Sequence, residues 1–265
     1  NTIGNYAFAN CVNLEYANFP INSSVKALGD HVFYNCRSLK EFDMPVAVQK
    51  VGDSAFEGCT GLVDLNLMPQ SKNVLLTTLG DNVFKNCTKL SKLELPDTYN
   101  EDFDISWIEG CSSLAYIRVP NLSQRFVAKG SFGFAELMEQ LPEEFYFEGA
   151  SDSKIHDISK TNSFAFKYLD EEIYEKVVVA SGTAGTGQTV FRINDKNELI
   201  YFYMDKTVAE VVLPGKIGPY EITRIGSTSF NGNHHIKKIS IPDSIVAIED
   251  NAFSYCTSLT SVNLS

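Results

Sequence analysis

One nine-residue pattern is written repeatedly along this chain. It opens at Ile3–Cys11 as IGNYAFANC and returns as LGDHVFYNC, VGDSAFEGC, LGDNVFKNC and, near the far end, IEDNAFSYC. A catalytic motif needs to occur once, whereas a segment recurring at near-regular spacing is a unit of architecture. The register follows Cys11, Cys36, Cys59, Cys87 and Cys111, then Asn233 in place of cysteine, then Cys256. Neighbouring anchors within each run lie 23 to 28 residues apart, which is a solenoid period.

The frame around each anchor is specific. Three residues before it stand Phe8, Phe33, Phe56, Phe84, Phe230 and Phe253, with Ile108 in the degenerate copy. Seven before it stand Gly4, Gly29, Gly52, Gly80 and Gly226. Apolar residues follow at the third, sixth and eighth positions and then proline, as in CRSLKEFDMP, CTKLSKLELP, CSSLAYIRVP and NHHIKKISIP. Steps of three and four from Ala7 and Phe8 through Cys11 to Leu14 predict a helical turn, and the later step of two predicts a short strand with one buried face. The glycine suits a tight bend, and the proline ends the strand because it has no amide to extend a ladder. Stacked copies bury what one copy cannot.

The combination IGxxAFxxCxxLxxLxLP, legible in VGDSAFEGCTGLVDLNLMP and IEDNAFSYCTSLTSVNLS, resembles the BspA-type leucine-rich repeat. The resemblance implies an α/β leucine-rich-repeat solenoid of stacked short parallel strands with helical turns. It also implies a binding scaffold, since that class is found largely on surface and secreted proteins of host-associated bacteria and some parasitic protists. Some members are associated with matrix proteins or with adhesion between cells. Proline follows the strand where commoner leucine-rich repeats carry a ladder asparagine, so no site is carried over from those classes.

Residues 1–120 read as a first array and 206–265 as the start of a second. Between them, 121–185 reads as degenerate repeats or an insert: Leu141, Phe145 and Phe147 resemble a strand closing a rung, FAELMEQL a short amphipathic helix, and KIHDISKTNSFAFKYL one more worn copy. The tract SGTAGTG reads as a flexible connector, and TVFRINDKNELIYFY, alternating on both sides of NDKN, as a β-hairpin linker over 186–205. NTIGNYAF begins inside a repeat and SLTSVNLS stops inside another, so the chain is expected to be a piece of a longer protein.

At 265 residues and 44% apolar there is ample material for a core. A formal charge of −11 and a pI near 4.8 argue against nucleic acid and anionic membrane surfaces as partners. No apolar run approaches the length of a membrane span, and no signal peptide is visible. The six cysteines fill one inward-facing slot of the frame, which favours buried free thiols over bridges, although neighbouring rungs stand close enough to pair. None lies two to four residues from another, so zinc is not expected.

Other candidate chemistry is weak. GTAGTG matches neither phosphate-cradling pattern and precedes a strand where a helix N-terminus would be needed. His234 and His235 are adjacent and lack a third ligand. Glu143 and Glu144, and the run Asp170, Glu171, Glu172, read as solvated acids. Asn22, Asn86, Asn121 and Asn263 meet the N-glycosylation pattern, which arises readily by chance. No cofactor, metal or catalytic residue is expected.

What remains is the surface of the array. The fifth and seventh residues after each anchor point away from the core: Tyr16 and Asn18, Glu41 and Asp43, Asp64 and Asn66, Lys92 and Glu94, Tyr116 and Arg118, Lys238 and Ser240. This polar, mixed-charge set edged by tyrosines suits a protein ligand, and the family resemblance implies a matrix or cell-surface protein. The leading expectation is a non-enzymatic extracellular or cell-surface recognition scaffold; a stalk holding another domain, or a glycan-binding module, is the alternative. The irregular 121–205 region is a rival site, because departures from a repeat often carry function.

Overall fold

The computed structural model describes residues 1–20, 23–68, 75–121, 123–151, 153–169, 174–182, 185–194 and 196–264. The chain divides into two compact units, Asn1–Ile158 and Ser159–Ser265, the division falling inside the helix Lys154–Asn162. Among the described residues no helix is long and apolar enough to cross a membrane.

The first unit is a stack of rungs joined along three lines. One is a parallel ladder of two-residue strands, Thr2–Ile3, Ala27–Leu28, Lys50–Val51 and Thr78–Leu79, in that order. A second is the strand face: Glu41–Asp43 pairs in parallel with Asp64–Asn66, and Lys92–Glu94 with Tyr116–Val119 and then Tyr146–Gly149. The third runs through the segments between them. The steps of three and four there take the form of linked turns, in which Ala9 N–H returns to the Tyr6 carbonyl and Cys11 N–H to the Phe8 carbonyl. Alternate amides leave the rung altogether: Tyr6, Phe8 and Asn10 donate to Asp30, Val32 and Tyr34, and His31, Phe33 and Asn35 to Asp53, Ala55 and Glu57. Sending half the amides to the next rung requires left-handed residues five and one before the anchor, and these are His31 and Asn35, Ser54 and Gly58, Asn82 and Asn86.

The glycines seven before the anchor have another purpose than the expected bend. Gly29, Gly52 and Gly80 are not left-handed. A β-carbon on Gly29 would stand 2.5 Å from Asn5 Oδ1 and 2.6 Å from Asn5 N, and one on Gly80 2.5 Å from Asp53 N. They are bare because the preceding rung lies directly against them, where Asn5, Asp30 and Asp53 each accept the following rung's main-chain N–H at 2.9–3.1 Å.

Inside, Phe8, Phe33, Phe56 and Phe84 stack with centroids 5.3, 5.5 and 6.5 Å apart. All but Phe8, which lies at the start of the stack, are fully buried, each contributing about 1.5–3 kcal/mol. At Ile108 a 3₁₀ turn, Ile105–Ile108, replaces the pattern and buries Trp107. The rung after it swaps the usual turn for the helix Phe134–Gln140, begun where Glu136 reaches back to the Gly133 N–H at 2.9 Å. Its Gln140 side chain accepts from Gly110 N–H at 2.8 Å and donates to the Ile108 carbonyl at 2.9 Å, standing in for the backbone of a regular rung. Phe126–Val127 pairs with Phe103–Asp104 in parallel.

In the second unit, Ala165–Tyr168, Tyr174–Gly182, Gly185–Ile193 and Glu198–Met204 form an antiparallel meander. The hairpin expected around Asn194 forms, with Asn194 Oδ1 accepting from Lys196 and Glu198 amides. The glycine-rich tract expected as a connector is instead drawn into strand, where Ser181 pairs with Thr186 and Gly182 with Gly185. Rungs then resume. Glu210–Val212, Lys238–Ile241 and Ser261–Leu264 form one parallel sheet, and Phe230 stacks on Phe253 at 4.9 Å.

Candidate functional site

Ten of the twelve face residues predicted from sequence lie in the first unit, in two rows set by strand register. Tyr16, Glu41, Asp64, Lys92 and Tyr116 form one row, through the pairs Tyr16↔Glu41, Glu41↔Asp64 and Lys92↔Tyr116. Asn18 precedes the other, in which Asp43 pairs with Asn66 and Glu94 with Arg118. Their partners between the rows, Phe42, Leu65, Leu93 and Ile117, are buried, as alternation requires. Glu41, Asp43 and Asp64 are exposed, whereas Lys92, Glu94, Tyr116 and Arg118 are half-buried. Lys238 and Ser240 lie on the second unit's own sheet.

The rows are cross-linked. Asn66 Nδ2 donates to Asp43 Oδ1 at 2.9 Å, Lys92 Nζ stands 3.7 Å from Asp64, and Tyr116 O–H donates to Glu94 at 2.5 Å. Burial, then the Glu94 hydrogen bond and charge, push the Tyr116 phenol up from its ordinary value, so it stays a donor. Lys40 lies 5.5 Å over the Tyr16 ring.

Sequence reasoning missed the continuation of both rows. Tyr146 stacks on Tyr116 at 5.4 Å, and Glu148 pairs with Arg118 in register. In the second unit Glu210 and Val212 precede Lys238 and Ser240, with Ser261 and Asn263 following. The signal for Glu210 and Val212 was present, since Val211 and Leu213 already fill the buried positions of the frame.

The remaining candidates are not brought together. His234 Nδ1 pairs with Thr257 Oγ1 at 2.9 Å on the adjoining rung. Asn121 is engaged by its own turn, accepting from Ser123 N–H at 2.9 Å. Asn86 and Asn263 are exposed, while Asn22 and Asp170–Glu172 lie outside the described residues. All six cysteines are free; Cys36, Cys59, Cys87 and Cys111 are buried, but Cys11, on the first rung, is exposed.

Stacked rungs with a parallel strand on one side and a buried phenylalanine column define a leucine-rich repeat solenoid. The chain belongs to the BspA-type leucine-rich repeat family, whose pattern, described as BspA type Leucine rich repeat region, matches residues 1–136 and 184–265 in 6 copies. No curated protein matches it. Among solved structures it is similar to a leucine rich cell surface protein from Faecalibacterium prausnitzii, at 16% identity, 100% of this chain, 64% of that one and a TM-score of 0.37. It is also similar to the T. pallidum Leucine Rich Repeat protein, at 22% identity, 57% of this chain, 67% of that one and a TM-score of 0.39. A third is a leucine-rich repeat protein from Bacteroides ovatus, at 19% identity, 100% and 64% coverage and a TM-score of 0.39. The chain thus spans 64% of the length of the first and third of these.

Proposed function

We propose that this chain is a non-enzymatic recognition scaffold, secreted or displayed at a cell surface, that binds a protein partner through the strand face of its first unit. The observation carrying this is the pair of polar rows from Tyr16 to Arg118, in register on either side of the step from Asp64–Asn66 to Lys92–Glu94, charged in both signs, over a packed apolar layer. A rigid face that holds its side chains in fixed register binds at low conformational cost. Acidic residues concentrate at Glu41, Asp43 and Asp64, which favours a partner with a basic patch. In this reading 121–149 is worn repeat, supported by the parallel ladders that Phe126–Val127 and Tyr146–Gly149 continue, whereas the strands Ala165–Tyr168 and Tyr174–Gly182 belong to the antiparallel meander.

The experiment is a screen of the purified chain against matrix proteins, cell-surface proteins and a glycan array, with Glu41→Lys, Asp43→Lys, Asp64→Lys and Glu94→Lys combined in one folded variant. A saturable protein hit lost in the variant supports the reading. A hit retained moves the site elsewhere, a glycan hit replaces the partner class, and silence across the panel favours a stalk.

A further inference from the structure

Among the described residues of the first unit, the strand-face ladder breaks between Asp64–Asn66 and Lys92–Glu94, which do not pair although their outer neighbours do. Ser91 N–H still reaches the Val63 carbonyl at 3.1 Å, so the two strands meet at their starts and part toward their ends. The cause is local. The rung from Cys59 to Cys87 is the longest, at 28 residues, and carries Met68 as an extra residue before Pro69. Met68 N–H turns back to Asn66 Oδ1 at 3.0 Å, pulling the chain off the strand line.

Two consequences meet in the gap. In the intact pairs the residue after the strand closes the ladder, with Met44 N–H donating to the Asn66 carbonyl at 2.9 Å and Leu95 N–H to the Arg118 carbonyl at 3.0 Å. The equivalent donor is Leu67 N–H, opposite the Glu94 carbonyl, and it has no protein partner among the described residues although Leu67 is 1% exposed. A cleft of about 140 Å³ opens there, lined by Asp64, Leu65, Asn66, Leu67, Lys92 and Glu94. An orphan buried donor beside a cavity calls for an acceptor to fill it.

The lining says which kind. It offers donors in Leu67 N–H and the Lys92 ammonium, and acceptors in the Asp64 and Glu94 carboxylates. A cation would meet Lys92, and an anion would meet two carboxylates; a neutral group with both a donor and an acceptor meets neither conflict. A cavity of about 150 Å³ takes a benzene-sized group, so the cleft has room for one carboxamide. Among the described residues no aromatic ring lines it as a sugar platform, and Tyr116 is stacked on Tyr146 and bonded to Glu94.

Resting on the strand-face reading, we infer that the cleft receives the carboxamide of an asparagine or glutamine side chain of the protein partner. Its oxygen accepts from Leu67 N–H, and its NH₂ donates to the Asp64 or Glu94 carboxylate.

The test titrates the full ¹⁵N-labelled chain with acetyl-Gly-Asn-Gly-amide and follows the Leu67 and Met44 amide signals. The Leu67 signal should shift saturably while Met44 stays still. The midpoint should be roughly tenfold lower than for acetyl-Gly-Ala-Gly-amide, and the response should vanish in Asp64→Tyr, which fills the cleft mouth. A stationary Leu67 signal, equal response to the alanine peptide, or response only to N-acetylglucosamine or acetyl-Gly-Arg-Gly-amide each overturns the assignment. Partner capture that the charge-reversal variant abolishes, with Leu67 stationary, removes the cleft alone and leaves the strand face standing.

Discussion

The Cys59 thiol donates to the main-chain carbonyl of Phe33, one rung earlier, at 3.1 Å. That carbonyl also accepts the Cys36 N–H of its own rung at 3.1 Å. The pairing recurs as Cys36 with Phe8, Cys87 with Phe56, Cys111 with Phe84 and Cys256 with Phe230. A weak, compact donor suits a carbonyl whose stronger bond is already made. Where Asn233 takes the slot, its amide faces the Met204 sulfur at 3.6 Å, and its oxygen caps His235 and Ile236 N–H.

Removing one of these thiols costs packing more than it orphans the carbonyl. Cys59→Ala should lower unfolding stability by about 1–2 kcal/mol through the void, and Cys59→Ser by about 1–3 kcal/mol, because its shorter side chain leaves a buried hydroxyl with only a long, weak bond to Phe33. Cys11→Ala, exposed on the first rung, should stay within about 0.5 kcal/mol. Urea titration of the three variants decides it; equal losses at Cys11 and Cys59 would refute the ladder's role.

The glycine column separates contact from conformation. Gly80→Ala forces a β-carbon against Asp53 N and the Gly52 carbonyl carbon, at 2.5 and 2.6 Å, so neighbouring rungs must part. A loss above about 2 kcal/mol is expected. Gly4→Ala meets nothing within 4 Å and should be neutral or slightly stabilising. Thermal unfolding of both variants is the check. Comparable destabilisation would mean that bending, not rung contact, demands the glycine.

This explains which parts of the fold sequence reasoning reached. The phenylalanine, cysteine and leucine columns were legible because periodicity reports burial within one rung. Gly29, Gly52 and Gly80 stand out in the sequence, but the reason for them lies in the preceding rung's main chain, which no single repeat displays. The left-handed column at Asn10, Asn35, Gly58, Asn86, Gly110 and Gly232 is written openly in asparagine and glycine, the residues that tolerate that conformation, with Tyr255 the exception. Its meaning emerges only when alternate amides are seen crossing between rungs. The face rows followed from alternation, whereas the break beside Leu67 consists of a hydrogen bond not made and has no residue signature beyond the extra Met68.

The second unit holds a buried charge whose removal should be costly. Glu175, 2% exposed, accepts from Arg192 Nε at 2.8 Å and from Tyr168 O–H at 2.8 Å, and it pairs with Arg192 in strand register. Glu175→Gln should destabilise by about 3 kcal/mol and Tyr168→Phe by about 1 kcal/mol. Glu175→Gln with Arg192→Met should cost less than the sum of the single changes. A denaturant-based double-mutant cycle measures the coupling, and strict additivity would show that the pair is incidental.

Alkaline pH should weaken the first unit before its tyrosines ionise. Burial raises the Cys36 thiol from 9.0 to about 11 and the Cys111 thiol from 9.0 to about 12, and holds Cys59 and Cys87 above their ordinary value too. Above pH 9 the unfolded chain releases these protons while the folded chain keeps them, so folding stability is full below 9 and falls as pH rises toward 11. Each thiol in its window removes about 1.4 kcal/mol per pH unit. Tyr99, Tyr116 and Tyr168 are also pushed up by burial, from 10.0, and act with the same sign, so the clean interval is pH 9 to 10. Urea midpoints there should drop in the parent chain and drop less in a folded Cys36→Val, Cys111→Val variant. Identical slopes would mean that the buried thiols do not govern the decline, since valine has no proton to release in this range.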